Sequence, residues 1–79
     1  MSLNRLARTG DRVMLLEDPW EGVSGRVRKA YKNGNISVVI SRSDVPAKAK
    51  PLIIAPDGFV HWIAIPGEFE IYDETKGVF

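Results

Sequence analysis

The amino-acid sequence predicts an all-β domain, which we expect to be a small closed barrel of about five strands with no long helix. Short apolar segments alternate with turn signals at intervals of about 8 to 12 residues, a spacing typical of sandwiches and barrels. No segment repeats apolar residues with helical periodicity for more than one turn. A closed barrel is favoured over an open sheet because closure removes exposed strand edges.

The first two strands are predicted from glycine-marked segments near the N-terminus. The first strand is expected from Arg12 to Glu17, and Pro19 and Gly22 mark the loop that follows it. The second strand is expected from Val23 to Lys32, with a bend at Gly25, because an internal glycine is typical of the corner of a barrel.

The dipeptide Asn33-Gly34 predicts a β-hairpin, because it is the preferred pair for a two-residue type I′ turn. Such a turn would pair each residue of the second strand with a defined residue of the third. The expected pairs are Lys32 with Asn35, Tyr31 with Ile36, Lys29 with Val38, and Val27 with Ile40. One face of this hairpin is apolar, with Lys29 as the exception that must extend to the rim. The apolar face comprises Val27, Tyr31, Ile36, Val38 and Ile40.

The remaining sequence predicts a loop and three further strands. Residues 41–51 contain two prolines and no apolar alternation, so we expect a mobile loop there. Short strands are expected at 52–54, 59–65 and 69–72, with a turn at 55–58. The expected organisation is a loose arm at 1–9, a barrel domain at 10–73 and an acidic tail at 74–79.

The first half of the sequence resembles KOW-type and related SH3-like barrel proteins. The matching residues are Gly10, Asp11, Val13, Leu15, Gly22, Gly25 and Val27, followed by the hairpin and, near the end, by Phe69-Glu70-Ile71. The beginning is also similar to the photosystem I reaction-centre subunit IV family, which has a comparable aromatic loop after its first strand. The resemblance covers about residues 10–40 and implies a binding module with an SH3-like barrel. Members of these families bind RNA, ribosomal or polymerase surfaces, or protein subunits.

Composition argues against an enzyme. The chain has no cysteine and a single histidine, His61, whose neighbours are apolar, so neither a thiol nucleophile nor a transition-metal site is expected. The glycines do not form a phosphate-binding or dinucleotide-binding pattern, and we expect no cofactor. The absence of cysteine, of a signal peptide and of a long apolar segment leads us to expect a cytoplasmic protein that does not contact a membrane.

The charges are unevenly distributed, although the net charge is only +1. Residues 24–50 contain seven basic residues and one acidic residue, whereas the last third of the chain is acidic. The basic segment is the best candidate for binding a nucleic acid, with the alternative that it is a solvated face neutralised by the acidic end. The candidate residues are Arg26, Arg28, Lys32, Arg42, Lys48 and Lys50.

An excess of apolar residues indicates a protein partner or a homo-oligomer. Side chains alternate along a strand, yet the first strand and the 59–65 strand are apolar on both faces. We expect Val13, Leu15 and Ile63 inside the barrel, and we expect the second face to bind protein. That face comprises Met14, Leu16, Val60, Trp62 and Ala64. Trp20 either anchors the same interface from its loop or folds back over one mouth of the barrel.

These features favour a non-enzymatic protein-interaction or assembly module. The alternative is a KOW-like nucleic-acid or ribosome-associated module that uses the basic segment at 24–50.

Overall fold

A computed structural model of the chain describes residues 5–52 and 59–77, with the side chains of residues 51 and 52 left out. The described elements are five strands and two short 3₁₀ helices. In chain order they are β1 (Arg12–Leu15), β2 (Ser24–Ala30), β3 (Ile36–Ser41), the 3₁₀ helices η1 (Arg42–Asp44) and η2 (Ala47–Leu52), β4 (Phe59–Ala64) and β5 (Phe69–Ile71).

The five strands form one antiparallel sheet in the order β4-β3-β2-β1-β5. The predicted all-β fold with about five strands is therefore confirmed. The expected closure is wrong, because β4 and β5 are the two edges of the sheet and do not pair with each other in the described residues. The predicted segment 52–54 is not a strand at Leu52, which ends η2, and its other two residues, like the turn at 55–58, lie outside the described residues.

The β2–β3 hairpin has a longer turn than the sequence predicts. A type I′ turn requires positive φ at both central residues, but no residue other than glycine has positive φ in the described chain. Instead, the Gly34 N–H donates to the Tyr31 carbonyl at 3.0 Å, and the Tyr31 N–H donates to Asn35 at 2.9 Å. Gly34, with φ of 94°, therefore closes a three-residue loop. The predicted register is therefore wrong by one residue next to the turn and by two residues beyond Arg28.

A β-bulge at Arg28 restores the apolar face despite that shift. Ala30 pairs with Ile36 next to the turn, but beyond Arg28 the pairing changes so that Val27 faces Val38. One extra residue in β2 moves Lys29 to the outer face of the sheet, where a lysine is solvated. Four of the predicted core residues are buried, namely Val27, Ile36, Val38 and Ile40. Tyr31 was expected among them but is exposed.

Strand β4 presents the opposite face to the core from the one that we expected. Its register on β3 pairs Val60 with Ile40, Trp62 with Val38, and Ala64 with Ile36. Directly paired residues point to the same face of a sheet, so the three β4 residues must point inward with their partners. Val60 and Ala64 are buried, which corrects their assignment to an outer interface.

Trp20 belongs to the apolar core on the inner side of the open sheet. The loop after β1 folds back through two backbone hydrogen bonds, from the Trp20 N–H to Glu17 at 2.9 Å and from the Val23 N–H to Trp20 at 2.9 Å. The indole is only 2% exposed, and its ring centroid lies 5.1 Å from that of Trp62. Of the two expected roles for Trp20, the structure shows the one in which it covers the core.

Residues 41–51 contribute to the core, contrary to the expectation that they make few apolar contacts. Val45 and Ala49 are buried and belong to the same apolar cluster as the sheet residues. The mobility of this segment stays a prediction that limited proteolysis near Lys48 or Lys50 tests.

Gly25 allows β2 and β3 to approach each other closely. A Cβ atom at this position would lie 2.6 Å from Val38 Cγ1 and 2.6 Å from the Val39 carbonyl oxygen. We expect Gly25→Ala to lower the free energy of unfolding by about 1–3 kcal/mol through overpacking. Denaturant unfolding measures the change, with Ser24→Ala on the same strand as the control. A Gly25→Ala protein as stable as the control would contradict the close approach.

An ion pair attaches the start of the described chain to the sheet. Arg5 donates to both carboxylate oxygens of Asp11 at 2.8 and 3.1 Å, and the Arg8 N–H donates to the same carboxylate at 2.7 Å. The hydrogen bond from Arg5 is the main cause that lowers the pKa of Asp11 below its ordinary value of 3.8, and desolvation opposes it.

This lowered pKa predicts a pH-dependent contribution to stability. The ion pair stabilises the folded state above the ordinary pKa of Asp11, and the contribution is lost as the pH falls through the lowered folded-state pKa. Asp11→Asn should therefore reduce the free energy of unfolding at about pH 7, and the difference from wild type should shrink toward about pH 2. Asp44→Asn, at an exposed carboxylate in η1, serves as the control. A pH-independent difference for Asp11→Asn would argue against the ion pair.

Candidate interaction surface

Three large apolar side chains on the outer face of β4 and directly after it are exposed to solvent. Phe59, Ile63 and Ile65 are 57%, 50% and 49% exposed, and we call them the β4 patch. They lie on an edge strand, and residues 59–65 contain no charged side chain and no proline. Proteins usually protect an exposed strand edge from association by means of charged residues or proline. An apolar edge strand that lacks both marks a surface that another chain can cover.

The pairing between β3 and β4 explains why the β4 patch points outward. Phe59 pairs with Ser41, and Ile63 pairs with Ser37, so both lie on the face of β3 that carries its serines. The sequence of β4 is apolar on both faces, so by itself it does not show which face points to the core. The serines of β3 mark its outer face, but they indicate the outer face of β4 only when the register between the two strands is known.

Of the interface residues predicted from the sequence, Trp20 and Trp62 lie on the inner side of the sheet. Met14 lies between the buried Val13 and Leu15 of β1 and therefore on the outer face, as expected. Trp20 is buried, and Met14, Leu16 and Trp62 are half-buried. Trp62 packs against Trp20 rather than standing free on an outer face. The apolar excess that suggested a partner does exist, but it lies on the β4 patch.

A cleft of about 270 Å³ lies where the sheet remains open between its two edges. One wall consists of the β4 residues Trp62, Ile63 and Ala64, and the other consists of residues from the end of β1, its following loop and the segment before β5. The second wall comprises Leu15, Glu17, Asp18, Trp20 and Glu68. We call this cleft the open seam. Two indoles and three carboxylates line it, a combination suited to a cation that carries an apolar stem.

A lysine from the same chain already binds one of these carboxylates. Lys48 Nζ lies 2.6 Å from Asp18 Oδ1, and both side chains are largely exposed. The hydrogen bond to Asp18, followed by its Coulomb attraction, raises the pKa of Lys48 above the ordinary value, and Glu21 adds a smaller attraction. An exposed pair of this kind adds little stability, so a competing cation can replace it.

The basic residues proposed for nucleic-acid binding do not form one continuous stripe. Arg26 makes a 3.6 Å ion pair with Glu74, and Lys48 lies at the acidic open seam. Lys32 is at the hairpin tip, whereas Arg42 and Lys50 are exposed in η1 and η2. The chain therefore distributes these charges over several parts of the molecule and neutralises two of them.

The sequence analysis did not identify a smaller group of basic and aromatic side chains, because the predicted register placed Tyr31 on the inner face of the hairpin. Lys29 Nζ lies 5.1 Å from the centroid of the exposed Tyr31 ring. On the same side of the sheet, Arg28 lies 3.5 Å from the His61 ring. These residues border the β4 patch, so the outer face combines apolar and basic side chains.

Comparison with known protein families, with curated proteins and with solved structures finds no match to this chain. In the part of the chain that the structure describes, no three acidic, histidine or cysteine side chains are grouped as metal ligands. The described residues also include no helix long and apolar enough to cross a membrane.

The two faces of β4 should respond differently to a charge. Trp62→Glu places a carboxylate against Trp20 in the core and should reduce the free energy of unfolding by at least about 2 kcal/mol. Ile63→Glu places the same charge on the exposed face and should change stability by less than about 1 kcal/mol. Thermal or denaturant unfolding of both variants measures the contrast. Equal destabilisation would mean that Ile63 also belongs to the core.

Proposed function

We propose that this protein is a non-enzymatic protein-interaction or assembly module and that the β4 patch is its binding surface. The observation that carries the proposal is a charge-free edge strand with three large apolar side chains about half exposed. The proposal includes an SH3-like architecture of the KOW type and a cytoplasmic location. The sheet order, in which a β1–β2–β3–β4 meander is completed by β5 pairing with β1, supports that architecture.

The size of the β4 patch indicates what kind of complex it supports. Three half-exposed large side chains present roughly 300 Å² of apolar surface. At about 25 cal/mol per Å², covering this surface contributes roughly 7 kcal/mol. Association costs about 4–15 kcal/mol in lost freedom, so the patch alone supports a weak complex. A specific interface must include polar contacts beside the patch.

Site-specific photo-crosslinking in the source cells tests the proposal. Benzoylphenylalanine replaces Ile63 in one variant and Lys32, at the hairpin tip, in a control variant. We expect the Ile63 position to form a protein adduct of defined mass that survives nuclease treatment and high salt, because apolar contacts are not screened. The Lys32 position should form none.

A second substitution shows whether that adduct depends on the β4 patch. Phe59→Asp should abolish the adduct from position 63, whereas Thr75→Asp, a charge at another exposed position, should leave it intact. Absence of an adduct at position 63, or an adduct insensitive to Phe59→Asp, would reject the protein-interaction proposal.

Nucleic-acid binding is the second candidate function, and the Lys29–Tyr31 pair is the observation that favours it. An exposed aromatic ring beside basic side chains is the arrangement on which an unpaired base stacks. In this case the crosslinked species would be sensitive to nuclease. Binding of a single-stranded oligonucleotide would also weaken steeply with salt and would be reduced by Tyr31→Ala.

A further inference from the structure

We infer that the open seam beside β4 receives an extended peptide segment of a partner protein, with apolar side chains on the β4 patch and a lysine or arginine in the cleft. The segment would add to the sheet as a further strand. This inference rests on the proposed function and identifies the chemistry of its partner.

Strand addition follows from the position of β4 at the edge of the sheet. The only strand that pairs with β4 in the described part of the chain is β3. An edge strand presents unpaired backbone N–H and C=O groups, and an extended peptide satisfies them with its own. These main-chain hydrogen bonds supply the polar contacts that the apolar patch lacks.

The alternation of side chains along a strand explains why one peptide can contact both the patch and the cleft. In a segment paired with β4, every second side chain lies on the outer face beside Phe59 and Ile63. The side chains between them point to the inner side, where the open seam lies next to Trp62. The recognised sequence therefore alternates apolar residues with at least one basic residue.

The extent of the surface favours a single segment over a folded partner or a second copy. Stable interfaces between globular proteins bury about 800 Å² on each side, whereas the β4 patch offers on the order of 300 Å². One strand of about five residues is close to the length of β4, which has six.

The charges in the open seam specify a cation. Glu17, Asp18 and Glu68 line the cleft together with Trp62, whose ring can contact an ammonium or guanidinium group. The Lys48 ammonium on Asp18 shows that the rim already holds such a group. In the complex, Lys48 acts as a competitor tethered to the same carboxylate.

Nuclear magnetic resonance titration with short synthetic peptides tests the inference. The probe is the capped peptide Thr-Val-Lys-Val-Thr, and the matched peptide has Glu in place of Lys. A third peptide carries N-methylated valines, which cannot complete the strand pairing. The readouts are the backbone amide signals of β4 and the indole N–H signals of the two tryptophans.

We expect the lysine peptide to shift β4 and Trp62 signals saturably with a Kd of about 1 mM. The Glu peptide should bind about tenfold more weakly, because an attraction is replaced by a repulsion. The N-methylated peptide should not bind. Glu17→Gln should weaken binding of the lysine peptide about threefold, and Lys48→Gln should strengthen it by a similar factor. Glu70→Gln on β5, outside the cleft, should have no effect.

The outcomes separate this inference from the proposed function. Equal binding of the lysine and Glu peptides, or no effect of Glu17→Gln and Lys48→Gln, overturns the cation site. Absence of saturable binding by any peptide, or equal binding of the N-methylated peptide, overturns strand addition. The proposed function is tested separately, because absence of the crosslink from position 63 rejects it whether or not the peptides bind.

Discussion

The burial of Trp20 is the contact on which the rest of the fold depends. A five-stranded sheet that does not close needs other groups to cover its apolar face, and the indole of Trp20 contributes to this from a loop. The Trp20 Nε1–H finds no acceptor among the described residues. An unsatisfied buried donor costs about 1–3 kcal/mol, whereas burying a large aromatic side chain contributes about 3–5 kcal/mol, so burial prevails. The pairing of β4 with β3 turns Trp62 inward, where it packs against the Trp20 indole.

The sequence predicts the elements of this fold better than it predicts how they combine. Most strand bounds follow approximately from local patterns. The apolar face of β3 follows from alternation, because Ile36, Val38 and Ile40 occupy every second position of the strand. The turn at Asn33-Gly34 is ambiguous, since the same dipeptide also fits a three-residue loop ending in a left-handed glycine. The bulge at Arg28 then returns Val27 to the inner face of the sheet, and no local sequence pattern predicts this bulge. Two errors of register therefore leave the predicted apolar face of the hairpin nearly intact and misplace only Tyr31 among its members.

The candidate site was harder to predict because it depends on tertiary pairing. The sequence of β4 is apolar on both faces, so the face that points to the core is decided by the β3 residues with which β4 pairs. The inference that the sequence contains more apolar surface than one interior can hold was sound. Its assignment to Val60, Trp62 and Ala64 was wrong, because these residues pair with the buried positions of β3. The charge count of the basic segment likewise could not show that Lys48 lies against Asp18 in another part of the fold.

The incomplete sheet and the candidate binding surface have a common physical origin. If β4 met β5, the edge of β4 would be paired and the carboxylates of the cleft would be buried without cations, which is strongly unfavourable. In the structure the loop that carries Trp20 lines the cleft together with β4, and its Glu17 and Asp18 stay solvated. The same loop thus contributes Trp20 to the core and two carboxylates to the seam. A binding surface here requires no separate structural device, because the loop that completes the core also lines the place where we propose that a strand is added.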